Sequence, residues 1–157
     1  MLIKQITDYD EKKRSIRFVL EALPDWFAVE ESREEYINDS VDRPTFVAYD
    51  DDGGTSKTAG FLCLKQTGKE TVELAVMGVL KEYHRHGIGR QLFDMAKAYA
   101  VEKGYDFMQV KTVKMGMYDD YDATNRFYQA LGFKEFEVFP MLWDESNPCQ
   151  IYVMGLK

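Results

Sequence analysis

Hydrophobic positions along the chain change period several times, and each change marks an element. Residues 2–6 read as a short first strand. Ile16, Val19, Leu20 and Leu23 then recur at helical spacing, predicting a helix over 9–22 that Pro24 ends. Ser32 followed by Glu35 reads as a capping box for a second helix of roughly two turns. Between the helices, Trp26 and Phe27 are candidate walls of a cleft or seals on the edge of the core. Strands are predicted at 45–49, 59–66 and 71–79, forming an antiparallel meander across an Asp/Gly-rich turn at 50–57 and the connection Thr67-Gly68-Lys69. Gly78, inside the third strand, marks a bulge or a close approach. A bulge there splays the strand and frees backbone groups at Met77 and Val79.

The second half of the chain changes rhythm. Leu92, Met95, Ala96, Tyr99 and Ala100 form the apolar face of a long helix over 87–104, with Gly104 as its stop. A strand over 105–113 follows, then a short helix over 123–131 with Asp122 as cap and Gly132 as terminator. Two last strands are expected at 134–139 and 150–156, with a loop at 142–148 between them. Neither an internal repeat nor a linker interrupts this order, so one domain over 1–157 is expected.

Composition narrows the class. A chain of 157 residues with 45% hydrophobic content can bury a sizeable core. Its apolar runs are far shorter than the ~20 residues of a membrane span. The N-terminal segment lacks a signal-peptide pattern, so the expectation is a cytoplasmic protein without a membrane partner. A net charge of −7 argues against nucleic acid as a partner and suits a cationic substrate. Cys63 and Cys149 form no CxxC pair, and Cys63 reads as a small buried hydrophobe.

Against that acidic background, His84, Arg85, His86 and Arg90 crowd around Gly87 and Gly89. A strand, a basic glycine loop and a helix make a socket for a phosphate-bearing ligand, because helix-start amides are unpaired and carry partial positive charge. The GxxxxGK[ST] phosphate loop is absent. The dinucleotide fingerprint fails too, since Leu92 stands at its third glycine and Lys114, not an acid, follows Val113. His84 and His86 lack the company a metal site requires, so no metal is expected.

The segment His84-Arg85-His86-Gly87-Ile88-Gly89 resembles the acyl-CoA pyrophosphate loop of the GNAT superfamily of N-acyltransferases, with His84 in place of the usual Gln or Arg. Downstream, Phe127-Tyr128 and Leu131-Gly132-Phe133 resemble that family's FY…LGF segment, while Tyr121 and Thr124 stand where it usually carries Asn and Ala. The resemblance spans nearly the whole chain. It implies an α/β (α+β) fold, a mixed and mainly antiparallel sheet of about seven strands flanked by about four helices. It implies acetyl-CoA as cosubstrate, bound by Met77, Gly78, Val79, His84, Arg85, His86, Gly87, Ile88, Gly89 and Arg90. The implied reaction is direct acetyl transfer to a primary amine of a small molecule or peptide.

That reaction needs a base, because an amine of pKa about 10.4 is mostly protonated at neutral pH. Glu73, on the face of Ala75, Met77 and Val79 by alternation, falls where some GNAT enzymes carry a catalytic glutamate. Asp120 and Tyr118 stay open as bases. The resemblance makes Tyr128 the acid for the departing thiolate and the Val79 amide a donor to the thioester carbonyl. A CoA-binding sensor without turnover is the rival expectation. Homodimers are frequent among proteins of this resemblance.

Overall fold

The computed structural model describes residues 1–51 and 56–157. Part of the predicted turn at 50–57 therefore lies outside the described residues. Seven strands form one sheet in the order β1-β2-β3-β4-β5-β7-β6. They are β1 (Leu2–Ile6), β2 (Thr45–Asp50), β3 (Lys57–Gln66), β4 (Thr71–Val79), β5 (Phe107–Val113), β6 (Lys134–Asp144) and β7 (Asn147–Gly155). Four α-helices accompany them: α1 (Tyr9–Glu21), α2 (Glu30–Ser40), α3 (Ile88–Glu102) and α4 (Asp119–Leu131). The sheet is mostly antiparallel, with β4 and β5 running parallel. Two compact units divide the chain, Met1–Lys65 with Ala75–Tyr99 and Gln66–Leu74 with Ala100–Lys157.

In the first unit, Asp8 caps α1 by accepting from the Glu11 amide at 2.8 Å. The apolar stripe of α1 buries Ile16, Val19 and Leu20 in one cluster with Val47, Phe61, Cys63 and Val76. Trp26 and Phe27 pack against the rim of that cluster, so of their two expected roles the seal on the core edge is the one observed. The expected capping box at Ser32 is corrected: α2 starts at Glu30, Val29 is its cap residue without a side-chain bond, and Ser32 lies inside the helix. Glu30 and Glu31 meet the positive end of the helix instead. Lys12, almost fully buried, donates from Nζ to the carbonyls of Val41 and Arg43 at 3.0 and 2.8 Å, satisfying chain that leaves α2.

Gly78 has a packing cause. A Cβ there would stand 2.9 Å from Val19 Cγ1 and 3.0 Å from Leu23 Cδ1, so β4 lies too close to α1 for any side chain. Gly60 on β3 is tighter still, since its Cβ would meet the Gly78 carbonyl oxygen at 2.8 Å.

In the second unit, β4 and β5 share a short parallel ladder of Thr71↔Phe107, Val72↔Met108 and Glu73↔Gln109. β5 pairs with β7 along its whole length, from Phe107↔Gly155 to Val113↔Cys149. Two expectations are corrected here. α4 begins at Asp119 with three acids in its first turn, and Asp122 binds the Gly116 amide at 2.7 Å instead of capping. The expected loop at 142–148 is a hairpin: β6 continues to Asp144, whose carboxylate accepts from the Ser146 amide and the Asn147 side chain at 2.9 Å. Gly132 ends α4 at φ 107°, with Phe133 N–H donating to the Tyr128 carbonyl at 3.1 Å.

β6 closes one side of the sheet. Its register with β7 slips between Glu135 and Glu137 and again between Phe139 and Asp144, which leaves Phe136 and the run from Pro140 to Trp143 outside the paired positions. Phe136, Met141, Leu142 and Trp143 are exposed.

Candidate active site

β4 delivers two sets of groups. Val76, Gly78 and Leu80 are buried, whereas Ala75, Met77 and Val79, on the other face, are half-buried. The Leu80 amide donates to the Ala59 carbonyl at 2.9 Å, and a 3-10 turn over Lys81–Tyr83 leads into the basic loop. Arg85 has φ 66°, a left-handed value that costs a non-glycine residue free energy, and Gly87 follows at 76°. Together these turn the chain into α3. The Gln91 amide donates to the Gly87 carbonyl at 3.1 Å, so the amides of Ile88 and Gly89 precede the first helical bond. His84, Arg85, His86, Gly87 and Arg90 are exposed, Gly89 is half-buried and Ile88 anchors the turn from the core. A diphosphate would meet oriented amides surrounded by cationic side chains.

This loop is tied down from two sides. His84 Nε2 lies 2.7 Å from the Val79 carbonyl; a carbonyl only accepts, so that nitrogen carries the proton. The bond pins the last residue of β4 to the loop that follows it. Lys81 Nζ binds Asp25 at 2.5 Å and sits 5.7 Å above the Trp26 ring, which meets His84 edge-on at 6.1 Å. The aromatic segment after α1 thus clasps the start of the glycine loop.

The second unit holds the two candidate catalytic side chains. Glu73 is only 9% exposed. Lys111 Nζ donates to its Oε1 at 2.8 Å, across the diagonal from the Glu73↔Gln109 pair. Buried Cys149 lies near this pair. Burial pushes its thiol pKa up, and of the neighbouring charges Lys111 pulls it down while Glu73 raises it.

Tyr128 is buried among Phe127, Phe133 and Tyr152, with ring centroids 5.8, 5.9 and 6.3 Å away. Asn125, one turn earlier and fully buried, donates from Nδ2 to the Val113 and Tyr121 carbonyls at 2.8 and 2.7 Å. Its Oδ1 accepts from the Tyr152 hydroxyl at 2.6 Å, and that hydroxyl oxygen accepts from Gln129 Nε2 at 3.1 Å. Asp119 and Asp120 are exposed in the first turn of α4. Tyr118 is exposed as well, and its hydroxyl donates to the Ser146 carbonyl at 3.4 Å.

Sequence reasoning missed Lys111, Asn125 and Tyr152. For Lys111 a signal existed, because Gln109 and Lys111 alternate with apolar Met108 and Val110 on a strand next to Glu73. Asn125 and Tyr152 are joined only by the fold. Among the described residues, no group of three or more His, Cys, Asp or Glu side chains is placed to hold a metal, and no helix is long and apolar enough to cross a membrane.

Comparisons with known proteins bear on the fold and the family. The family model described as an acetyltransferase (GNAT) domain matches residues 42–135. Among curated proteins, none matches the sequence. Among solved structures, a protein from Desulfovibrio desulfuricans assigned to the GNAT acetyltransferases superposes with a TM-score of 0.84 at 18% identity, covering 99% of both chains. An aminoglycoside 6'-N-acetyltransferase complexed with coenzyme A gives 0.76 at 18% identity, covering 100% of this chain and 98% of the other. A chain of the NatC complex bound to Gag peptide and CoA gives 0.76 at 17% identity, covering 99% and 98%. At such identities these likenesses establish the fold. The family model, matching well over half of the sequence, goes further: this chain belongs to the GNAT acetyltransferase family.

Proposed function

We propose that the protein transfers an acetyl group from acetyl-CoA to a primary amine, directly and within a ternary complex, as one catalytic domain acting in the cytoplasm. The observation that carries this reading is the exposed basic turn between β4 and α3, where Arg85 and Gly87 adopt positive φ just before amides that precede the first helical bond. The amides of Gly87 to Arg90 hold the diphosphate of CoA, and Arg85, His86 and Arg90 neutralise it. His84 keeps the Val79 carbonyl fixed. The backbone of Met77, Gly78 and Val79 lines the pantetheine arm, with the Val79 amide polarising the thioester carbonyl. Glu73, directly or through water, removes a proton from the ammonium; the amine attacks, and Tyr128 gives its hydroxyl proton to the departing thiolate. The CoA-bound relatives support the cosubstrate, and the aminoglycoside in one enzyme's name and the peptide bound in the other complex suggest which amines to try first.

Titration calorimetry with acetyl-CoA, beside release of free thiol over a panel of aminoglycosides and peptide N-termini, tests the reading. Binding together with amine-dependent thiol release is expected. The ion pair of Lys111 with Glu73 favours a second reading, a CoA-binding sensor, since the carboxylate already has a partner other than a substrate ammonium. Tight binding without turnover on any amine would select it. The role of Glu73 has its own check: Glu73→Gln is expected to lower kcat/KM at neutral pH and to leave a profile that rises only as the free amine itself loses its proton. An unchanged profile assigns the base to another group.

A further inference from the structure

We infer that Asn125 and Tyr152 form a buried positioning unit that holds Tyr128 in register for proton donation, an inference that rests on the acyl-transfer reading above.

Asn125 sits in the interior of α4, where asparagine is a mediocre helix former, and it is fully buried, where an unpaired amide is costly. Its polar atoms are nonetheless all engaged. The two Nδ2 hydrogens reach the Val113 carbonyl at the end of β5 and the Tyr121 carbonyl one turn back, while Oδ1 takes the Tyr152 hydroxyl from β7. One side chain therefore links α4 to two strands. An apolar residue would fill the same space without fixing the rotation of the helix about its axis, since hydrophobic contact is not directional.

The unit reaches Tyr128 through Tyr152. That ring is fully buried and stands 6.3 Å from the Tyr128 ring, inclined by 54°. Its hydroxyl is held between Asn125 Oδ1 and Gln129 Nε2, which fixes the far end of the ring that walls Tyr128. On the C-terminal side, the Tyr128 carbonyl receives the Phe133 amide, which fixes the backbone of the same residue. Proton delivery falls steeply with misplacement of the donor. A purely structural core network has no reason to converge on this one phenol from the side and from below.

The test is a double-mutant cycle between Tyr152→Phe and Tyr128→Phe, read by steady-state kinetics with acetyl-CoA and an accepted amine. Tyr152→Phe keeps the ring and removes only the hydroxyl, so the protein should still fold, which thermal melting checks. It is expected to lower kcat by about tenfold while the KM for acetyl-CoA stays within about twofold. In the Tyr128→Phe background the same change should add nothing, because the group it positions is gone. Losses that multiply in the double variant, or an unchanged kcat in Tyr152→Phe, overturn the inference while leaving acyl transfer intact. A wild-type protein that turns over no amine overturns both.

Discussion

Tyr128→Phe is expected to lower kcat by about 100-fold, at the modest end of what a positioned general acid contributes. The affinity for acetyl-CoA should stay within about twofold, because the phenol acts on sulfur only as the thiolate leaves. Tyr128 packs against Phe127, Phe133 and Tyr152, and phenylalanine preserves those ring contacts, so loss of folding is not a competing explanation. Single-turnover thiol release and calorimetry with acetyl-CoA read the two quantities separately. Unchanged turnover would remove Tyr128 from the chemistry and leave it a core residue. An acceptor whose product leaves slowly would mask the effect in steady state, which is why the single-turnover measurement decides.

Gly60→Ala is expected to cost about 3 kcal/mol of stability, a fall in Tm of about 10 °C for a chain of this size. The added methyl would meet the Gly78 carbonyl oxygen at 2.8 Å and the Val79 Cα at 3.3 Å. Both are main-chain atoms of β4, so the clash cannot be relieved by a rotamer change; the strand itself must move. Because the Val79 amide is the proposed thioester donor, the same substitution should also depress turnover in molecules that remain folded. Thermal denaturation beside kinetics below the melting range measures both. A variant with wild-type Tm would mean that β3 and β4 yield more easily than their spacing indicates.

Much of this architecture was readable before the coordinates. The stripe Ile16, Val19, Leu20 announces α1 because a helix facing one core must repeat every three to four residues. The glycines around Arg85 announce a loop meant for close approach, and positive φ at Gly87 is the conformation that glycine was needed for. Helix starts were less legible. Ser32 and Asp122 have the side chains of caps, yet α2 and α4 begin earlier on acidic turns, where charge against the helix dipole substitutes for a capping bond. The final hairpin was not legible because its turn is made by Asp144 folding back on Ser146 and Asn147, bonds that no hydrophobic period announces.

The candidate site divides along the same line. Residues 84–90 follow one another in the chain as a basic glycine loop, and Tyr128 sits inside a segment that resembles a family pattern; periodicity alone would have left that tyrosine in the core. The partners that define their surroundings could not be read this way. Lys111 reaches Glu73 from 38 positions away and Tyr152 reaches Asn125 from 27, distances over which no period operates. At Gly78, of the two expected causes, a bulge or a close approach, close approach is the one the packing shows: Val19 and Leu23 stand where a Cβ would go, and the Gly60 backbone lies against its carbonyl.

The slipped register of β6 carries a consequence for solubility. A straight outer strand offers foreign chains a row of vacant donors and acceptors, which is how sheets grow into fibrils. Here that row is twice put out of step, at Phe136 and from Pro140 to Trp143, and proline contributes no amide at all. The greasy side chains on this margin therefore lack the continuous rail along which neighbouring molecules could zip together.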